Sequence, residues 1–174
     1  MHKYLLKPIK GTVKEGFILY DEHEKEVYKT QMVKFKLFGA SPFAFTNNIT
    51  NKTEEHTVGK TVTTSENHGN DIAGAIMNVM STKSGFKYDG KKIFDYLHEK
   101  GIRIDSNINT SKVGMKYDIT LEGKPLATIA TSSPSGKSLL SFEGFYDVEC
   151  EEEDLDLVFL VAFAIAKTEQ TFYN

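Results

Sequence analysis

The chain has 174 residues, 40% hydrophobic and 26% charged, which suits one ordinary globular domain able to bury roughly 70% of its unfolded surface. Its single cysteine, Cys150, excludes an internal disulfide, and a formal charge of −3 with no block of basic residues excludes the electrostatic footprint of a nucleic-acid binder. MHKYLLKPIKG at the start lacks the apolar stretch of about 7–15 residues that marks a signal peptide, so the expectation is a cytoplasmic chain in which the sequons at Asn48, Asn51 and Asn109 carry no sugar.

The charge is unevenly spread. Residues 1–60 hold ten Lys against seven acids, residues 61–120 eight basic against seven acidic side chains, and residues 121–174 three Lys against ten acids, which gives +3, +1 and −7. In chain order, EGFILYDEHEKEVYKTQ (15–31) reads as two strands around a polar turn near 23–25. VKFKLF (33–38) alternates Val33, Phe35 and Leu37 with Lys34 and Lys36, the period of a half-buried strand. HTVGKTVT (56–63) predicts a further strand, and DIAGAIMNVMS (71–81) fits a helix or a strand. DGKKIFDYLHEKG (89–101) predicts a short surface helix with Asp89 as N-cap and Gly101 past its end.

VGMKYDITLEGKPLATIATS predicts a hairpin: Val113, Met115, Tyr117, Ile119 and Leu121 share a face, and Glu122-Gly123 turns the chain. Leu140, Phe142, Gly144, Tyr146, Val148 and Cys150 likewise share one face of a strand, which makes Cys150 a packed thiol rather than a nucleophile. The ten apolar residues 157–166 are about half of what a bilayer needs, so they predict no transmembrane segment. Being apolar all round, the run predicts a helix enclosed by protein, here by sheet. Glu151, Glu152, Glu153, Asp154 and Asp156 then stand at its N-terminus, where the helix dipole favours carboxylates.

Motifs for catalysis are incomplete. VGKT (58–61) and SGKS (135–138) end like phosphate loops, but Glu54 and Thr131 occupy the positions of the first glycine. DSNIN (105–109) opens like a calcium loop and then places Thr110 and Lys116 where Gly and Glu belong. The five histidines form no ligand pair at helical spacing. His56, His68 and Asp71, joined by a serine, are the one hydrolase constellation within reach.

The order of elements, KKIFDYL and YDVECEEEDLDLVFLVAFAIAKTEQ resemble the tubby-like superfamily over nearly the whole chain, the group that holds the tubby C-terminal domain, the LURP-one-related proteins and the phospholipid scramblases. The resemblance implies a mainly β fold in a single domain, 1–174: a closed antiparallel barrel of about twelve strands around a central C-terminal helix, with one or two short surface helices. Tubby domains bind phosphoinositides through basic surface residues, for which Lys34, Lys36, Lys87, Lys91 and Lys92 are the counterparts here, with Lys83 beside them. Scramblases carry an acidic calcium-associated segment before the last helix; residues 149–156 are acidic but lack its spaced D-x-D pattern interrupted by aromatics. A hard-cation set of Glu149, Glu151, Asp154 and Asp156 is therefore the alternative to simple dipole complementation. The expectation is a non-catalytic binding or regulatory module without a cofactor, its ligand a protein partner. Binding of an anionic phospholipid surface and an unrecognised hydrolase are the alternatives.

Overall fold

Alternating side chains need a partner strand on each side before they become sheet, and most of this chain finds one. The computed structural model describes residues 1–9, 15–59, 85–109, 114–132 and 144–173. Eleven strands form one antiparallel sheet: β1 (His2–Ile9), β2 (Gly16–Tyr20), β3 (Glu26–Met32), β4 (Ser41–Asn47), β5 (Lys52–Val58), β6 (Lys87–Tyr88), β7 (Lys91–Lys92), β8 (Ile102–Asn109), β9 (Gly114–Leu121), β10 (Lys124–Thr131) and β11 (Tyr146–Cys150). Helix α1 (Ile93–Glu99) lies between β7 and β8, and a 3-10 turn at Glu152–Asp154 leads into α2 (Leu155–Tyr173).

The sheet order is β7-β6-β5-β4-β3-β2-β1-β11-β10-β9-β8, so β1 sits mid-sheet between β2 and β11. Among the described residues β7 and β8 are edges that do not pair with each other, and a closed barrel is not shown. The chain crosses from one edge to the other through α1, which contacts β7, β8 and α2.

Helix α2 is the core. Leu155 and every residue from Val158 to Ala166 are buried, and the latter run accounts for all sides of the helix over about two and a half turns. Phe159 stacks on Tyr28 with centroids 4.2 Å apart, and Phe163 meets Phe17, Phe45 and Phe86 edge-on at 5.9, 5.4 and 5.2 Å. Burying this run contributes on the order of 15 kcal/mol, an upper figure because unfolded chains are partly compact. Toward its C-terminal end the helix turns polar. Lys167 pairs with Glu15 and lies 5.6 Å over the Phe43 ring, and the buried Glu169 accepts hydrogen bonds from the Tyr117 and Tyr146 hydroxyls.

The predicted hairpins at 15–31 and 113–131 form as β2–β3 and β9–β10, the latter closed by Glu122 (φ +50) and Gly123 (φ +81), a pair of positive φ values that matches strand twist. Tyr146, Val148 and Cys150 face inward as predicted. Two expectations are corrected. Residues 33–40 are a loop, not a strand: β3 ends at Met32 because its partner β4 begins only at Ser41, so the alternating side chains have no neighbouring strand to complete a face. Asp89 is not an N-cap either. With Gly90 it forms the β6–β7 turn, at φ +48 and +83, and Lys92 stands at the N-cap of α1 without a side-chain cap. Gly101, at φ +87, does follow the helix as predicted. The predicted element at 71–81, the strand beyond residue 59, the strand start at 140–143, and Lys83, His68 and Asp71 lie outside the described residues.

Candidate functional site

Strand polarity sorts the charged residues by end. At one end lie the turns at 21–25, 48–51 and 122–123 and the start of α2; at the other lie the 33–40 loop, the β6–β7 turn and the C-terminal end of α2. Seven-residue strands at roughly 3.3 Å per residue hold these ends about 20 Å apart. The acids Asp21, Glu22, Glu24, Glu26, Glu122 and Glu151–Asp154 crowd the first end.

The second end carries the apolar anomaly of the molecule. Val33, Phe35, Leu37 and Phe38 are 57, 55, 64 and 87% exposed, in a loop tied by Val33 N donating to Pro42 O (2.8 Å) and Lys36 N to Ser41 Oγ (3.2 Å). Lys34 and Lys36 alternate with these side chains and are themselves exposed. Sheet register places Ser41 opposite Val58, Val58 opposite Tyr88, and Tyr88 opposite Lys91, with Lys87 opposite Lys92. The predicted lysines therefore collect at one end of the sheet, spaced across three strand intervals of about 4.8 Å each. Lys91 is taken up by Glu99 at 2.8 Å; Lys87 and Lys92 are exposed.

The acidic alternative disperses. Glu149 faces Lys3 at 3.9 Å, Glu151 faces the N-terminal amine at 3.4 Å, and Asp156 accepts from Asn47 Nδ2 at 3.1 Å. Among the described residues no group of three or more His, Cys, Asp or Glu stands close enough to hold a metal ion. Cys150 is fully buried, and burial together with Asp154 and Glu151 pushes its thiol pKa up to about 12, which leaves it a poor nucleophile.

His56 has a partner that its sequence neighbours did not suggest. Its Nδ1 lies 2.7 Å from Asp89 Oδ2 and its Nε2 3.4 Å from Glu54 Oε2, while Asp89 Oδ1 accepts from Thr57 N at 2.8 Å. Partial burial alone would raise the Asp89 carboxyl, but the hydrogen bonds from His56 and Thr57 hold it below its ordinary value. Both ring nitrogens of His56 face carboxylates, so the ring anchors β5 to the β6–β7 turn and is not aimed at a hydroxyl. Beside it, a cleft of about 280 Å³ opens between β5, α1 and the start of α2, walled by Tyr28, Tyr88 and Tyr96, with Glu54 and Asp156 among its lining groups. The sequence marks neither feature, since both depend on residues about 30 to 130 positions apart.

Comparison of the chain with protein-family models, with curated proteins and with solved structures finds no match. No helix among the described residues is long and apolar enough to cross a membrane.

Proposed function

We propose that this protein is a non-catalytic docking module of tubby-like type, and that its 33–38 loop seats on an anionic membrane surface. The observation that carries this reading is the exposure of Val33, Phe35, Leu37 and Phe38 in one loop interleaved with two lysines. Together they expose on the order of 500 Å² of side chain, at roughly 200 Å² for a whole large residue. That is as large as the largest apolar patch of a typical single-chain protein, about 300–600 Å², and a patch of that size is often an interaction surface.

Its shape supports a bilayer over a protein partner. A stable protein interface takes about 800 Å² from each side, more than this short projecting loop offers by itself. A membrane interface asks only that apolar side chains reach the acyl boundary while basic ones stay among the headgroups, which is the alternation of VKFKLF. Lys87 and Lys92, at the same end of the sheet, add to the attraction. The acidic end faces away by about the length of a strand, so the net charge of −3 does not oppose contact at the loop. A buried helix packed on one large antiparallel sheet, with α1 in contact with both edge strands, supports the tubby-like part of the reading, in which the wall around the helix would be a closed barrel.

Vesicle flotation tests it. The protein is expected to float with phosphatidylcholine vesicles containing about one-third phosphatidylserine, and not with phosphatidylcholine alone. Removing Lys34 and Lys36 together as glutamines costs about 1 kcal/mol per charge, a loss of roughly 30-fold. Phe38→Ser is expected to weaken binding without moving the melting temperature. Unchanged flotation in both variants overturns the reading.

A further inference from the structure

We propose that the tyrosine-walled cleft beside His56 is a binding site for a small organic cation, an alkylated ammonium of about choline size. The cavity, about 280 Å³, is at the small end of ligand sites and fits a compact molecule of roughly ten heavy atoms. Its aromatic wall is continuous: the Tyr88 ring lies 5.2 Å from Tyr96, 4.9 Å from His56 and 6.1 Å from Phe45. Aromatic faces carry negative quadrupole charge and attract cations within about 6 Å.

The structure already uses that attraction once. Lys100 Nζ lies 5.0 Å over the Tyr96 ring, in the lining of the same cleft, as an internal ammonium on an aromatic face. The carboxylates point the same way. Glu54 is met by Lys52 at 2.8 Å and His56 at 3.4 Å, but the side-chain donors on Asp156 are uncharged: Asn47 at 3.1 Å and the Tyr28 hydroxyl. Asp156 thus lines the cleft without a salt bridge among the described residues, although its charge is felt by the Lys52 ammonium in the same lining. The lining balances Lys52 and Lys100 against Glu54 and Asp156, and both lysines are already engaged, by Glu54 and by the Tyr96 ring. An inorganic ion would have no apolar surface to set against the rings, and a neutral ligand would gain at most a hydrogen bond from Asp156. A ligand combining positive charge with a methyl-clad surface uses both.

No residue of the 33–38 loop lines the cleft, so its failure leaves the membrane reading untouched. The probe is choline chloride, with dimethylbutanol, in which carbon replaces the charged nitrogen, as the neutral control. Expected are an upfield shift of the choline methyl protons from the tyrosine ring currents, a millimolar dissociation constant, and binding of the neutral isostere at least about fivefold weaker. Asp156→Asn is expected to weaken binding about three- to tenfold, and Lys100→Ala to tighten it by removing the competing ammonium. Circular dichroism melts confirm that each variant is folded, and Glu54→Gln, an exposed position, is the second charge variant should Asp156→Asn be destabilised. Equal affinity for the two probes, or no choline shift up to about 50 mM in both the natural chain and Lys100→Ala, overturns the proposal.

Discussion

Phe163→Ala is the sharpest test of whether α2 is the core about which the sheet is built. The ring is fully buried and lies within 6.0 Å, centroid to centroid, of Phe17, Phe43, Phe45 and Phe86, which come from β2, β4 and the segment entering β6. Truncation removes the transfer energy of a whole ring and leaves a cavity whose walls are themselves rings fixed in strands, so it collapses poorly. The expected loss is about 4–5 kcal/mol, the upper part of the range for such a change, or roughly 8–20 °C in melting temperature for a chain of this size. Urea unfolding followed by far-UV circular dichroism should show a lower midpoint at unchanged slope. Phe163→Leu, which refills part of the space, is expected to recover more than half of the loss. Phe38→Ala is the control, with an effect within about 0.5 kcal/mol. A Phe163→Ala protein that lost less than about 1 kcal/mol would refute an enclosed helix, because a helix merely resting on a sheet can relax outward.

Glu169 is buried in the core, and desolvation raises its carboxyl pKa even though the Tyr117 and Tyr146 hydroxyls favour the charged form. A raised folded pKa means that the folded state holds the proton more tightly, so this group's stabilisation is complete below its ordinary value of 4.5 and is lost as pH climbs above it. The stability advantage of the natural chain over Glu169→Gln, from urea midpoints, should therefore shrink with rising pH; an advantage that grows would refute the assignment. Asp89→Ala removes the acceptor for His56 and for Thr57 N from a residue at φ +48, and should cost about 1–3 kcal/mol in thermal unfolding, whereas Asp89→Asn, which tolerates that φ, should cost less. Cys150 should react with a thiol reagent only after denaturation; labelling of the native protein at the rate of a free thiol would contradict its burial.

The elements legible from the sequence are those whose information is local. Ten apolar residues in succession, next to carboxylates, can only be an interior helix, and the period-two faces of β9 and β11 speak for themselves. By the same rule VKFKLF looks like a strand, yet whether it becomes one is decided by where β4 begins, and Pro42 near that start obscures the inward alternation of Phe43 and Phe45. Asp89 shows the converse. A D-G pair supports either a helix start or a hairpin, and the strand opposite decides. The lysines of the proposed surface were visible one by one, but their gathering at one end of the sheet follows only from the register of β4, β5, β6 and β7.

The place of β1 between β2 and β11 carries a consequence for assembly. Strands β2 to β7 stand in the sheet in the order in which they follow in the chain, and so do β8 to β11, with a helix between the two groups. The seam that unites them is His2 to Leu6 against Tyr146 to Cys150, residues that begin and end some 140 positions of sequence. The helix that fills the interior follows the seam immediately. During synthesis the inward faces of β2 to β5 are therefore finished long before the α2 helix that packs on Phe17, Phe43 and Phe45 is made. Closing so long a loop is slow, and the waiting half-sheet is the species most open to aggregation or capture by a chaperone.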